Sequence, residues 1–336
     1  MTAAATSSGA LFGPLADDRR IGAAHHAVAP LMHAAVLGLR PTIRDLALEH
    51  LGWDHRPGAP VRLLGKGLRS LFAVVAADMT GGSPDAGLRA AACVELVHES
   101  GLVHDDFMDG DRVRRGQPAI WATHGVPAAM LLGTALSTLG LQVLQEEPLE
   151  LRHRMAVLWA GAMQDLVVGQ ARDVQLEHSS APELDPAGWK QMAERKTGSL
   201  FGAAMAMGAV AGRADEPTAL ALDQIGRLLG VAYQIADDIL AIWGDPAVTG
   251  KPAVQVPTAR LYPVVAVSDQ LGTGVLAEAR TSCRALLDGT PARERSVEAI
   301  RGLTGRALAL LAASPDRSGT GAGLRAMVSS LVDRQR

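Results

Sequence analysis

The chain has 336 residues, 48% of them hydrophobic but only 3% aromatic, with a formal net charge of −3. That length can bury one large core or two smaller ones, and the small charge gives no general attraction to nucleic acid or to an anionic membrane. Ala and Leu dominate without alternating strand patterns, so the expected fold is all-α. The two cysteines, Cys93 and Cys283, lie far apart, which argues against a disulfide framework or a zinc site and fits a reducing cytoplasm.

In chain order, residues 1–18 are small and polar and read as a disordered arm, without a secretory leader. An Ala-rich helix follows, carrying His25, His26 and His33 in packing or surface roles, and a break at residues 55–60 ends the N-terminal helices. Gly65-Lys66-Gly67-Leu68-Arg69 comes next. It is no P-loop, because Pro60 and Gly67 stand where that motif needs Gly and Ser or Thr. Lys66 and Arg69 are three apart at a helix start, so both cations can face one anion.

After a break at residues 81–84, a helix over about 85–105 delivers Asp105, Asp106 and Asp109, followed by Arg112, Arg114 and Arg115. Asp105 and Asp109 share one helix face about a turn apart, with Asp106 about 100° round. Carboxylates crowded in this way call for a hard cation, and an oxygen-only donor set suits Mg²⁺ better than zinc. Mg²⁺ favours one or two carboxylates plus phosphate oxygens, so a phosphorylated substrate is implied, and forked arginine donors suit it.

Helices are expected over about 126–145, 149–178, 186–212 and 217–243. They carry Gly169-Gln170 with Asp173, then Lys196-Thr197 in an Ala- and Met-rich setting where a buried ammonium needs a duty. They end in a second acidic pair, Asp237-Asp238. A loop holds Lys251, and further helices from about 260 are interrupted by a Gly-rich break at 314–323. No uninterrupted apolar run reaches the roughly 18 residues of a membrane span.

GKxxR at 65–69, DDxxD at 105–109 with Arg114-Arg115-Gly116, GQxxD at 169–173, KTGxLF at 196–201 and YQIxDDIL at 233–240 follow one another in order. Over roughly residues 60–265 the chain thereby resembles the trans-isoprenyl diphosphate synthases, the polyprenyl synthetase family. The resemblance implies a single isoprenoid-synthase-type helical domain over 19–336 around a deep central cavity, working as a homodimer. It implies condensation of an allylic diphosphate with isopentenyl diphosphate, assisted by several Mg²⁺ ions on Asp105, Asp106, Asp109, Asp237 and Asp238. Lys66, Arg69, His98 and Arg115 would hold isopentenyl diphosphate, and Arg114 and Lys251 the allylic diphosphate. Lys196, Thr197 and Gln234 would lie beside the cation.

Where the family has a bulky aromatic four or five residues before the first Asp, growth stops at farnesyl diphosphate; here those positions are Gly101 and Ser100. The tail would pass them to Leu96 and Val97 one turn deeper, which gives geranylgeranyl diphosphate. The chain departs from the pattern at Ala241, where the second motif has its last acid, and after Lys251, where only Arg260 supplies a cation. These departures keep two alternatives open, a terpene cyclase on the same fold and a noncatalytic partner subunit.

Overall fold

A computed structural model describes residues 15, 18–63, 65, 67–178, 185–245, 254, 256, 258–271 and 282–333. In chain order the helices are α1 (Arg19–Leu37), α2 (Pro41–Leu51), α3 (Leu68–Met79), α4 (Leu88–Met108), α5 (Ile120–His124) and α6 (Val126–Val143). They continue as α7 (Leu149–His178), α8 (Pro186–Ala193), α9 (Ser199–Ala211), α10 (Glu216–Trp243), α11 (Tyr262–Val265), α12 (Cys283–Leu287), α13 (Ala292–Ala313) and α14 (Thr320–Asp333). Among the described residues the only strand pairing is a two-residue hairpin, Val113–Arg114 with Gln117–Pro118, so the fold is all-α as expected.

The chain groups into two compact units. The first comprises Met1–Ala160, Ala203–Asp223 and Ser314–Leu324; the second comprises Gly161–Gly202, Gln224–Ala313 and Arg325–Arg336.

In the first unit α4 is the core helix. Ala90 through Val97 are all buried, and α4 packs on α3, on α1 and most extensively on α6. An apolar run buried all round belongs to a core helix. α3 is equally apolar, and small residues let it approach α9 closely: a Cβ on Gly208 would collide with the Ala73 carbonyl. In the second unit Trp189, Met192, Val231, Ile235, Ile239, Tyr262 and Ile300 form one apolar cluster.

Several boundaries differ from expectation. Of the arm at 1–18, only Leu15 and Asp18 lie within the described residues; Leu15 is buried, and Asp18 caps α1 by accepting from the Arg20 and Ile21 amides. α2 ends at Leu51, well before residue 55, because Gly52 adopts a left-handed C-cap at φ 62°. The helix expected over 186–212 is split by a π-turn at Glu194–Gly198. After α13 the break is short, and Gly321 and Gly323 are helical within α14. Val126–Glu146 is long and apolar enough to cross a membrane by length and composition, although Thr134, Ser137, Thr138 and Gln142 interrupt it.

Candidate active site

The first cluster is built at the start of α3. Gly67, at φ 58°, turns the chain into the helix, and its carbonyl accepts from His25 Nε2 at 2.9 Å and from Ser70 Oγ at 2.9 Å. His25 thus has a packing role, as does His33, which donates to the Asp54 carbonyl at 2.7 Å. α4 carries two buried acids, Glu95 and Glu99, and the Arg69 charge acts on Glu95 and on His98. Glu95 accepts from the Ser70 amide at 3.0 Å; burial raises its carboxyl pKa against the opposing Arg69 charge. Burial, and then the Arg69 charge, hold the half-buried His98 imidazole well below the usual histidine value, so it is neutral at pH 7.

At the end of α4, Asp109 is the C-cap and its amide donates to the Asp105 carbonyl at 2.8 Å, so the two acids keep helical spacing. Asp105 is half-buried, Asp109 exposed and Asp106 only 2% exposed. Asp106 Oδ1 accepts from Arg114 Nε at 2.7 Å and also from its NH2 group.

The next residues explain why the arginine pair is followed by glycine. Arg115 and Gly116 form the two-residue turn of the hairpin with φ 53° and 78°, the conformation of a type I′ turn. Arg115 is sent back toward α4, where NH1 and NH2 donate to Glu99 Oε2 at 3.1 Å and Oε1 at 3.0 Å. His50 Nε2 donates to the same Glu99 Oε2 at 2.9 Å. Burial disfavours the Glu99 carboxylate, but His50 and Arg115 outweigh it and hold its pKa well below the usual range. A Cβ on Gly65 would sit 3.8 Å from Arg115 NH2, which places the guanidinium against Gly65.

The second cluster lies in the other unit. Gly169 brings α7 directly onto the backbone of Lys196 in the π-turn, where any Cβ would collide. One turn along, Asp173 therefore meets Lys196 Nζ at 2.5 Å. Arg260 binds the same carboxylate through Nε at 2.9 Å and NH2 at 2.7 Å, and reaches Glu177 at 2.9 Å. Burial disfavours the Asp173 carboxylate, but Arg260 and Lys196 outweigh it and lower its pKa.

Thr197 Oγ1 donates to Gln234 Oε1 at 3.0 Å, and Gln234 Nε2 donates to Asp238 Oδ1 at 3.0 Å. The Tyr262 amide donates to Asp238 Oδ2 at 2.8 Å. Asp238 is 5% exposed, and burial pushes its carboxyl up to about 7 against those two hydrogen bonds. Trp189 fixes this segment, its ring 4.8 Å from that of Tyr262 and its Nε1 donating to the Arg260 carbonyl at 2.8 Å.

The structure therefore brings Arg69, His98, Arg114, Arg115, Asp105, Asp106 and Asp109 into the first cluster, and Lys196, Thr197, Gln234 and Asp238 into the second. Asp237 is half-buried beside Asp238. Lys66 and Lys251 lie outside the described residues. Among the described residues no three acids, His or Cys converge into a metal-binding group. Glu99, His50 and the reach of Arg260 were missed from sequence; the available signal for Glu99 was Glu95 and Glu99 one turn apart inside an apolar helix.

Residues 59–255 match the family described as polyprenyl synthetase. The chain is 39% identical over 233 residues to a geranylgeranyl diphosphate synthase of Mycobacterium tuberculosis, covering 66% of this chain and 64% of that protein. It is 38% identical over 235 residues to a (2E,6E)-farnesyl diphosphate synthase of the same species, covering 69% and 64%. These matches span just under two thirds of the relatives' length. A crystal structure of a polyprenyl synthetase from Streptomyces coelicolor superposes with a TM-score of 0.78 at 34% identity, covering 92% of this chain and 96% of that one. With this fold, the two acidic pairs and a matched region of that extent, the chain belongs to the polyprenyl synthetase family.

Proposed function

We propose that the protein is a prenyltransferase that condenses an allylic diphosphate with isopentenyl diphosphate, giving geranylgeranyl diphosphate. The observation that carries this reading is the grouping of Arg69 and Arg115 about His98, with Arg115 beside Gly65, because a second diphosphate substrate needs its own anion site.

Asp105, Asp109 and Asp237 are assigned to Mg²⁺. Asp106 and Asp238 act instead as organisers, since Arg114 occupies one buried carboxylate and Gln234 with the Tyr262 amide occupies the other. Bound Mg²⁺ would neutralise the charge that grows on the leaving diphosphate. Arg114 and Lys251 are assigned to the allylic diphosphate, while Arg69, Arg115 and Lys66 hold the second one. Neutral His98 serves as a hydrogen-bond donor to it. Thr197 and Gln234 present oxygen dipoles and Lys196 a cation held by Asp173, which orients the allylic group as its C–O bond breaks.

Product length is assigned to α4. A Cβ on Gly101 meets nothing within 4 Å, so the tail has room at that level, and Leu96 and Val97 lie a turn deeper as the floor. A homodimer is assigned to the outer face of α6, where Met130 and Leu131 are 53% and 62% exposed. Ala241 in place of a third acid favours a second reading, a cyclase on the same fold.

The test is incubation with Mg²⁺ and dimethylallyl, geranyl or farnesyl diphosphate, each with and without isopentenyl diphosphate, followed by product analysis. Chain growth that requires isopentenyl diphosphate supports the proposal. A hydrocarbon formed without it establishes the cyclase, and no product from any pair leaves the noncatalytic-partner reading.

A further inference from the structure

Arg115 is one of two described non-glycine residues with a positive φ, at 53°. A non-glycine residue is held there only when its surroundings over-determine it. The surroundings here are unusual for a binding arginine: a carboxylate 3% exposed, inside an apolar core helix, takes both terminal nitrogens at 3.0 and 3.1 Å. That carboxylate is itself fixed from α2, since His50 Nε2 lies 2.9 Å from Glu99 Oε2 and both side chains are 3% exposed. α2, α4 and the hairpin turn are thus joined through one acid.

We propose that Glu99, backed by His50, is a positioning residue for the isopentenyl diphosphate site: it holds the Arg115 guanidinium beside Gly65 before substrate arrives. The inference rests on the assignment of Arg115 to that diphosphate. A guanidinium has five N–H donors, more than one carboxylate can accept. Freezing the arginine's rotamers in the free protein removes that entropic cost from binding. Glu99 has no reacting atom to serve, and its effect should appear in substrate affinity alone.

The test varies isopentenyl diphosphate at saturating allylic diphosphate for wild type, Glu99→Gln, Arg115→Ala and the double variant, with a melting temperature for each. Glu99→Gln should raise KM for isopentenyl diphosphate about tenfold, with kcat within about twofold and the allylic KM unchanged. Arg115→Ala should raise that KM about tenfold or more in wild type but add less than about threefold in the Glu99→Gln background. A uniform loss in every parameter alongside a lowered melting temperature means a structural role and overturns the proposal. An equal Arg115→Ala penalty in both backgrounds also overturns it, while leaving Arg115 as a ligand. If Arg115→Ala leaves the KM of an active enzyme untouched, the assignment of Arg115 fails and the inference falls with it. Should Glu99→Gln not fold, His50→Gln carries the same cycle, with the same signs and a smaller effect.

Discussion

A Cβ placed on Gly169 would lie 2.7 Å from the Cα of Lys196, so α7 and the π-turn meet backbone to backbone. That contact sets the 2.5 Å approach of Lys196 Nζ to Asp173 one turn along. Gly169→Ala should therefore destabilise by about 1–3 kcal/mol, the usual cost of overpacking, and lower activity beyond what its melting temperature explains. Thermal denaturation and steady-state rates measured together check this; an unchanged melting temperature would show that the helices part without cost.

The two acidic pairs follow one pattern, a half-buried first aspartate and a buried second one committed to protein partners. Asp105→Ala and Asp237→Ala should each reduce kcat by about a hundredfold or more, the scale of losing charge stabilisation at a reacting centre. Asp106→Asn should act differently, chiefly raising the KM for the allylic diphosphate, because it releases Arg114. Kinetics at several Mg²⁺ concentrations separate these effects, since the first two variants should shift the metal dependence and Asp106→Asn should not.

Much of this was legible in the chain. The acidic pairs, Lys196-Thr197 and the arginine pair carry chemistry at short spacing, and apolar periodicity marked the helices that hold them. Contacts distant in sequence left weaker traces. Arg260 reaches Asp173 across 87 positions, and nothing in the run around Arg260 names that partner. The π-turn was equally hidden, because Glu194–Gly198 has ordinary helical composition, and the wider turn serves its close packing on Gly169. Glu99 left only the weak signal of a second acid one turn from Glu95 in an apolar helix, and its partners His50 and Arg115 emerge only in the fold.

His98 and Glu99 both make the fold sensitive to acid. His98 has a depressed pKa, so below the ordinary histidine value of 6.5 the unfolded chain takes up a proton that the folded one refuses, and stability falls as pH drops. Glu99 has a depressed pKa too; its contribution is fully present above the ordinary value of 4.5 and is lost as pH falls further toward its folded value. His98→Gln should flatten the stability profile between about pH 7 and 5.5, and Glu99→Gln should flatten it below about 4.5. Melting temperatures across that range test both, and an imidazole of His98 that titrates near 6.5 by NMR would remove the first.

Gly101 offers the sharper test of product length. Ser100 is 4% exposed, so a phenylalanine there must displace packed neighbours, whereas a Cβ on Gly101 meets nothing within 4 Å. The two positions stand four and five residues before Asp105, and one helical turn of about 5.4 Å is close to an isoprene unit. An aromatic ring at Gly101 should block the tail one unit above Leu96 and Val97. Gly101→Phe should therefore shift the product from geranylgeranyl to farnesyl diphosphate while keeping the melting temperature. Ser100→Phe should also shorten the product, with a lower melting temperature from overpacking. Product chromatography on all three proteins decides the assignment. If wild type and Gly101→Phe release the same chain length, the tail does not run along this face of α4, and the floor lies elsewhere.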